Sequence, residues 1–414
     1  WTTLDVSERS KLSGKPISCT ENDEVWQMWQ KLTIFRRDDI DAEESLHPFD
    51  LTIPQLKTLA TEEEPSLYSR AKNTMSVPSW VKTLIRWWNS PKLASEHEDK
   101  GFLNIVEHIV ECAVADLRVA VGEIDDRMNE HDKLIELITS TVPVDQLTQI
   151  VTPTLVLIKT RNYDKIKVSS FYHSLTLENT RVAVLREFPV LWRLVTVCLN
   201  DWVGSILKFY GRLLNNSKEL NSMFGIDIDK IDGIEAHAGD PHNRGASVIV
   251  VKCKDKRCVY KPRPATGEQL LANAIRLLEF QTTSAPCQPT IIDMDSYFWQ
   301  EYIESTPVKH GDLETVAKKL GVLNAVLYAL QAEDMHHENV AIQGDRVAAI
   351  DCECVPHTIR PIDFESIPAE NPAAVLLAKG AHSLGIVPQA IVGNKEGSST
   401  TADISVFGYE PGTT

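Results

Sequence analysis

The sequence predicts an α+β protein in which a large helical region precedes a two-lobed catalytic core. Three observations lead there. Apolar residues recur at three- and four-residue steps in the first two hundred positions; β-branched segments joined by turn formers begin near residue 246; and a polar pattern suited to phosphoryl transfer occupies residues 334–351.

In the first part, Leu103, Val106, Val110, Ala113, Leu117 and Val121 form one apolar stripe, and Trp202, Ile206, Tyr210 and Leu213 form another. That spacing places each set on one face of an amphipathic helix, which reads as scaffold. The run Thr61-Glu62-Glu63-Glu64-Pro65 reads as a surface loop, and residues 395–402, with their Gly-Ser-Ser-Thr-Thr core, as another. No internal repeat is visible.

Residues 246–253 and 257–261 flank Lys254-Asp255-Lys256, which predicts a β-hairpin with a three-residue turn that ends at Lys261. Residues 230–237 supply a candidate first strand, and 238–245 the turn before the hairpin. A lysine at the end of such a strand is placed to meet nucleotide phosphates. Read alone, Lys261 before Pro262 and Arg263 fits a solvated strand exit better. Residues 291–303 predict two further strands around an acidic turn. The second leads through Glu301 and Tyr302, where backbone amides are placed to meet an adenine edge, while Tyr297, Phe298 and Trp299 read as core.

The third pattern is Asp334-Met335-His336-His337-Glu338-Asn339, followed by a short hairpin (340–342, a Gln343-Gly344-Asp345 turn, 346–350) and Asp351. An Asp and an Asn five positions apart orient a hydroxyl nucleophile and hold magnesium, and a second Asp after a strand completes the metal shell. In isolation, Asp334 and Asn339 serve equally as helix caps, and Asp351 and Glu353 as solvated strand-end charges.

Five segments in order carry a family likeness: Asp240-Pro241-His242-Asn243-Arg244-Gly245, Val259-Tyr260-Lys261-Pro262-Arg263, Phe298-Trp299-Gln300-Glu301-Tyr302, the 334–339 stretch, and Ala349-Ile350-Asp351-Cys352-Glu353. They resemble the dehydratase domain of LanM-type (class II) lanthipeptide synthetases. The likeness extends back through 177–191, Pro78-Ser79-Trp80 and Asp5-Val6-Ser7-Glu8-Arg9, so it covers essentially the whole chain.

The resemblance implies a lipid-kinase-like fold: a helical region over 1–228, an amino-terminal lobe over 229–303 with a nucleotide-covering loop and Lys261, and the start of a carboxy-terminal lobe over 304–414. It implies ATP- and Mg2+-dependent phosphorylation of Ser and Thr in a ribosomal precursor peptide, then phosphate elimination to dehydroalanine or dehydrobutyrine. Asp334 matches the phosphoryl-transfer aspartate, His336 and Asn339 its loop partners, Asp351 the metal aspartate (with Asn339 as second ligand) and Lys261 the phosphate-binding lysine. Asp240 and His242 match a pair implicated in elimination, a step that needs a base for the α-proton and neutralised leaving-group charge. A surface-loop histidine is the alternative for His242. The family's further elimination residues, an Arg and a Thr, and its zinc-dependent cyclase domain are expected beyond residue 414. Two other readings stay open: an enzyme that only phosphorylates a peptide or protein, and a non-catalytic peptide-binding relative.

Composition fits these expectations. The chain has 414 residues, 43% hydrophobic, and a formal net charge of −16. That charge argues against nucleic-acid or anionic-membrane partners, which need clustered Lys and Arg. No uninterrupted apolar run reaches the ~18 residues of a membrane span. Eight cysteines lack zinc-finger spacing, with Cys253 and Cys258 on a hairpin and Cys352 and Cys354 alternating on a strand. Reduced thiols of a cytoplasmic protein are expected.

Overall fold

The computed structural model describes residues 4–12, 14–16, 19, 26–27, 46, 51–74, 76–91, 99–125, 131–162, 165–236, 245–278, 282–356, 380, 384–387, 390–395, 398–403 and 405–406. The chain forms two compact units, Trp1–Gly211 with His242–Ala246 and Arg212–Pro241 with Ser247–Thr414.

The first unit is helical. Its elements are α1 (Val6–Ser10), α2 (Ile53–Ala60), α3 (Glu64–Thr74), α4 (Ser79–Trp88), α5 (Glu107–Ile124), α6 (Asp132–Thr139), α7 (Val144–Asn162), α8 (Val168–Ser174), α9 (Glu178–Glu187) and most of α10 (Pro189–Asn215). Local chemistry sets several starts. Asp5 and Glu8 form a reciprocal capping box on α1, and Thr52 and Gln55 do the same on α2.

On α10, Trp192, Val195, Leu199, Trp202, Ile206, Phe209 and Tyr210 are all buried, a three- and four-step stripe that makes this the central scaffold helix. Among the described residues it is the one helix long and apolar enough to cross a membrane by length and composition, with 44% of its most apolar window buried. Arg193 and Asp201 interrupt it, so no continuous apolar run arises. Of the expected stripe, Val106, Ala113, Leu117 and Val121 are buried and Leu103 and Val110 half-buried, with Ile105 and Ile109 buried beside them; Leu103 lies in a 3-10 turn over Gly101–Ile105 ahead of α5.

The acidic stretch at 61–65 is not simply a surface loop. Glu62 is buried, accepts from Arg70 Nη1 at 2.6 Å and from Ser66 Oγ at 2.8 Å, and α3 starts at Glu64. A buried cation partner removes the cost that drives acidic runs outward.

The second unit carries α11 (Ser217–Phe224), closed by Gly225 in the left-handed region at φ 71°. A five-stranded antiparallel sheet follows, with β1 (Gly233–Ala236), β2 (Ile249–Cys253), β3 (Lys256–Lys261), β4 (Ile291–Asp293) and β5 (Phe298–Glu301) in the order β1-β2-β3-β5-β4. Helix α12 (Thr266–Leu278) connects β3 to β4, and α13 (Leu313–Ala329) follows β5. Leu271 and Ile275 of α12 pack with Leu320, Leu323 and Leu327 of α13, against Met335, Val340, Val347 and Val355. The β6 (Val340–Gln343) and β7 (Arg346–Ala349) hairpin rests on this core.

Both hairpin turns are one residue tighter than expected. Cys253 pairs with Lys256 and Gln343 with Arg346, so the turns are Lys254-Asp255 and Gly344-Asp345. Lys254 at φ 56° and Gly344 at φ 61° supply the positive φ that two-residue turns demand. Residues 395 and 398–402 lie in strands rather than in a free loop. β8 (Ala390–Lys395) and β9 (Ser398–Asp403) pair from Lys395–Ser398 to Ala390–Asp403, since Thr400 and Thr401 are β-branched and tolerate an extended backbone. Cys352 and Cys354 lie in a turn after β7, closed by Val355 N donating to Cys352 O at 3.2 Å, not on a strand. All eight cysteines are free thiols, and burial pushes those of Cys198 and Cys258 up to about 12.

Asp116 of α5 receives two hydrogen bonds from Arg86 at 2.6 Å each and one from Trp87 Nε1 at 2.7 Å. Burial raises its pKa, but these donors outweigh that and hold it below the ordinary value of 3.8. A carboxyl depressed in the folded state stabilises above its unfolded pKa and loses that contribution as pH falls through the folded pKa. Asp116→Asn is therefore expected to cost on the order of 1 kcal/mol near neutral pH. In denaturant titrations, the gap to wild type should close as pH drops below about 4.

Candidate functional site

The two hairpins and the sheet bring Lys261, Asn339 and Asp351 together. Lys261 ends β3 opposite Phe298 of β5, and its side chain is almost fully buried. Its Nζ donates to Ile350 O at 2.7 Å and lies 3.1 Å from Asp351 Oδ1. Gln300 Nε2 donates to the same Ile350 carbonyl at 3.0 Å. Two donors from one sheet thus fix the residue before Asp351. Lys261 is therefore a buried, paired cation and not a solvated strand exit.

Asn339 enters β6 where Asp351 leaves β7. Asn339 O accepts from Ile350 N at 2.8 Å and from Asp351 N at 3.4 Å, which keeps the two side chains at one end of the hairpin. Asn339 Nδ2 donates to Asp334 O at 2.6 Å, so its own Oδ1 is left without a hydrogen-bond donor among the described residues.

The loop carrying Asp334 is pinned on both flanks. Glu333 N donates to Cys354 O at 3.2 Å, Met335 N donates to Leu384 O at 2.7 Å, and the Met335 side chain is buried. Asp334 sits at φ 62°, a left-handed conformation that non-glycine residues adopt at a cost of order 1 kcal/mol or more. The pinned loop holds it there with its side chain 55% exposed. His336 Nε2 stands 3.4 Å from Asp334 Oδ1, and Glu338 N donates to His336 Nδ1 at 3.2 Å. A ring nitrogen that accepts at Nδ1 carries its proton on Nε2, facing the aspartate.

Two residues absent from the sequence-based set complete the site. Arg263 makes a two-point contact with Glu268 at 3.0 and 2.7 Å, reaches Asp351 Oδ1 with the same Nη2, and lies 4.0 Å from Glu353. Glu268, in the first turn of α12, also accepts from Cys352 N at 3.3 Å. For Asp351, burial favours the neutral acid, but Lys261 and Arg263 outweigh it and hold the carboxyl below its ordinary range. Burial opposes the charge on Arg263, and Glu268 with Asp351 reverses that and raises its pKa. The available signal was an Arg two residues after the strand-end Lys, with a Glu five positions on at a helix start; only the fold makes the pair meet Asp351.

Glu301 and Tyr302 lie at the exit of β5. The Glu301 amide donates to Thr290 O at 2.8 Å, its carboxylate accepts from Arg346 at 3.1 Å, and Arg257 covers the Tyr302 ring at 5.0 Å. Asp240 and His242 lie outside the described residues.

Asp351 Oδ1 takes both cations, while Oδ2 accepts no hydrogen bond among the described residues. Asp351 Oδ2 and Asn339 Oδ1 are therefore two hard oxygen donors at one hairpin end. This set fits magnesium, which binds through one or two protein oxygens plus phosphate and water. No group of three or more His, Cys, Asp or Glu suited to a metal occurs among the described residues.

Residues 188–414 match a family described as a domain of unknown function, DUF4135. The chain belongs to the DUF4135 family. All the site residues above fall inside that DUF4135 match. The chain is also similar to a protein named for lacticin 481/lactococcin biosynthesis, LcnDR2 of Lactococcus lactis subsp. lactis, at 27% identity over 185 residues. That match covers 40% of this chain and 19% of the relative's length.

The DUF4135 site depends on a close approach at Gly267. A Cβ there would lie 1.9 Å from Cys352 O and 2.9 Å from Val355 O, both backbone atoms. Gly267→Ala is expected to destabilise by about 2 kcal/mol or more, through forced displacement of the segment after Asp351. Gly321→Ala on α13 meets nothing within 4 Å. It should be neutral or stabilising by up to about 1 kcal/mol. Denaturant midpoints of the two variants check this contrast.

Proposed function

We propose that this chain is the dehydratase part of a LanM-type lanthipeptide synthetase, a kinase-like enzyme that matures a ribosomal precursor peptide. The observation that carries the reading is the convergence of Lys261, Asn339 and Asp351 at one hairpin end, beside a pinned loop bearing an exposed Asp334. The similarity to a lacticin 481/lactococcin biosynthesis protein supports a peptide substrate. The order β1-β2-β3-α12-β4-β5, followed by α13, the Asp334 loop and the β6–β7 hairpin, is the order expected of a kinase-like core.

In this reading Lys261 would meet the nucleotide phosphates, and Asp351 with Asn339 would hold a divalent cation. A bound Mg2+ neutralises charge on the transferring phosphoryl group. Asp334 accepts the proton of a substrate Ser or Thr hydroxyl as that oxygen bonds to the γ-phosphorus and the bond to ADP breaks. His336 orients the Asp334 carboxylate. Elimination then removes the α-proton and expels phosphate, leaving a dehydroamino acid; Asp240 and His242 are assigned to this step.

Co-expression with a precursor peptide and mass spectrometry separates the alternatives. A mass loss of one water per site marks full dehydration, and a gain of one phosphate marks kinase activity alone. Asp351→Asn and Asp334→Asn are each expected to abolish both products while the thermal transition of Asp334→Asn stays unchanged. Lys261→Met keeps the apolar stem and should lower ATP use by about a hundredfold or more. Normal turnover by Asp351→Asn would overturn the kinase assignment.

A further inference from the structure

Both cations at Asp351, Lys261 and Arg263, meet the same oxygen, Oδ1. Arg263 is the more constrained of the two. Its guanidinium fork is held by both oxygens of Glu268, and Glu268 is itself tied to the chain beside Asp351 through Cys352 N. Glu268 is buried at the start of α12, next to the Gly267 contact that seats the helix directly on the Cys352 carbonyl. The Phe298 ring lies 5.3 Å from the Arg263 carbon, a rigid floor for the planar group. A surface ion pair has none of these constraints. Arg263 is confined by a bidentate carboxylate and an aromatic face; its Nη1 also donates to Pro264 O at 3.3 Å, its Nε lies 4.0 Å from Glu353, and its Nη2 reaches Asp351 Oδ1.

We propose that Arg263, braced by Glu268, is a positioning residue: it fixes the Asp351 carboxylate so that Oδ2 is presented to a divalent cation. This rests on the reading above that Asp351 is the metal aspartate. Lys261 alone does not fix the rotation, because an ammonium is a point charge that follows either oxygen, whereas a clamped guanidinium selects one. The arrangement is the outer-shell device by which metal ligands are oriented, moved here onto the second residue after the strand-end lysine.

The test is Mn2+ binding to the chain in the presence of a non-hydrolysable ATP analogue, read by electron paramagnetic resonance, with circular dichroism to verify folding. Asp351→Asn should lose the site. Arg263→Gln and Arg263→Lys should each weaken Mn2+ binding by about 10- to 100-fold. The lysine variant matters because it keeps the charge but cannot grip Glu268 and Asp351 together. Glu268→Gln keeps an acceptor for Cys352 N but loosens the clamp, and should weaken binding about tenfold. If Arg263→Gln proves unstable, the Arg263→Lys and Glu268→Gln results decide. Unchanged or tighter Mn2+ binding by the folded Arg263 variants, with the site still lost in Asp351→Asn, overturns the positioning role alone and makes Arg263 a competitor of the metal. Unchanged binding by Asp351→Asn removes the metal from Asp351 and overturns the functional reading beneath it.

Discussion

The segment Ile350-Asp351-Cys352 is held on three sides, and the rest of the second unit is arranged around that constraint. Lys261 and Gln300 donate to the Ile350 carbonyl from two adjacent strands. Arg263 and Lys261 both meet Asp351 Oδ1, and Glu268 reaches Cys352 N from a helix. Burial disfavours the charge on this carboxylate, and the two cations outweigh that and keep it ionised. Gly267 is the steric condition for the arrangement, since any side chain there would collide with the Cys352 carbonyl.

The same segment explains why two short hairpins suffice. A two-stranded ribbon is marginal alone, but β6 and β7 bury Val340, Val347 and Ala349 against α12 and α13. Burial of Val340 and Val347 contributes roughly 1.5–3 kcal/mol each before entropy is counted, which supports the hairpin as a rigid arm. Its open end then carries Asn339 and Asp351, with Asp334 set beside them by the Asn339 Nδ2 bond to the Asp334 carbonyl. Rigid support behind and exposure in front is the division expected of a site that must place a nucleophile accurately.

The first unit follows a different logic. Its core is a set of helices organised on α10, whose stripe of Trp, Phe, Tyr and branched residues is buried along one face. Polar groups inside it are paired, as with Glu62 and Arg70, or Asp125, which accepts from the Tyr210 hydroxyl and lies 2.6 Å from His131 Nδ1. Such paired groups cost little once satisfied and a great deal if one partner is lost.

The sequence by itself determined the element types of the second unit. Alternating β-branched residues around turn formers placed β2 with β3 and β6 with β7, and the spacing of Asp334, Asn339 and Asp351 marked the site, because both signals are local along the chain. Turn length was misread by one residue in each hairpin, since it depends on whether Lys254 and Gly344 adopt positive φ rather than on composition. The burial of Glu62 and the strand pairing of Lys395 and residues 398–402 were missed because the partners, Arg70 in one case and the facing strand in the other, decide the outcome. Only the tertiary structure decided the roles of Arg263, Glu268 and Gly267. Their meaning comes from Asp351 and Cys352, more than eighty residues away in sequence, and no propensity or periodicity encodes a contact at that range.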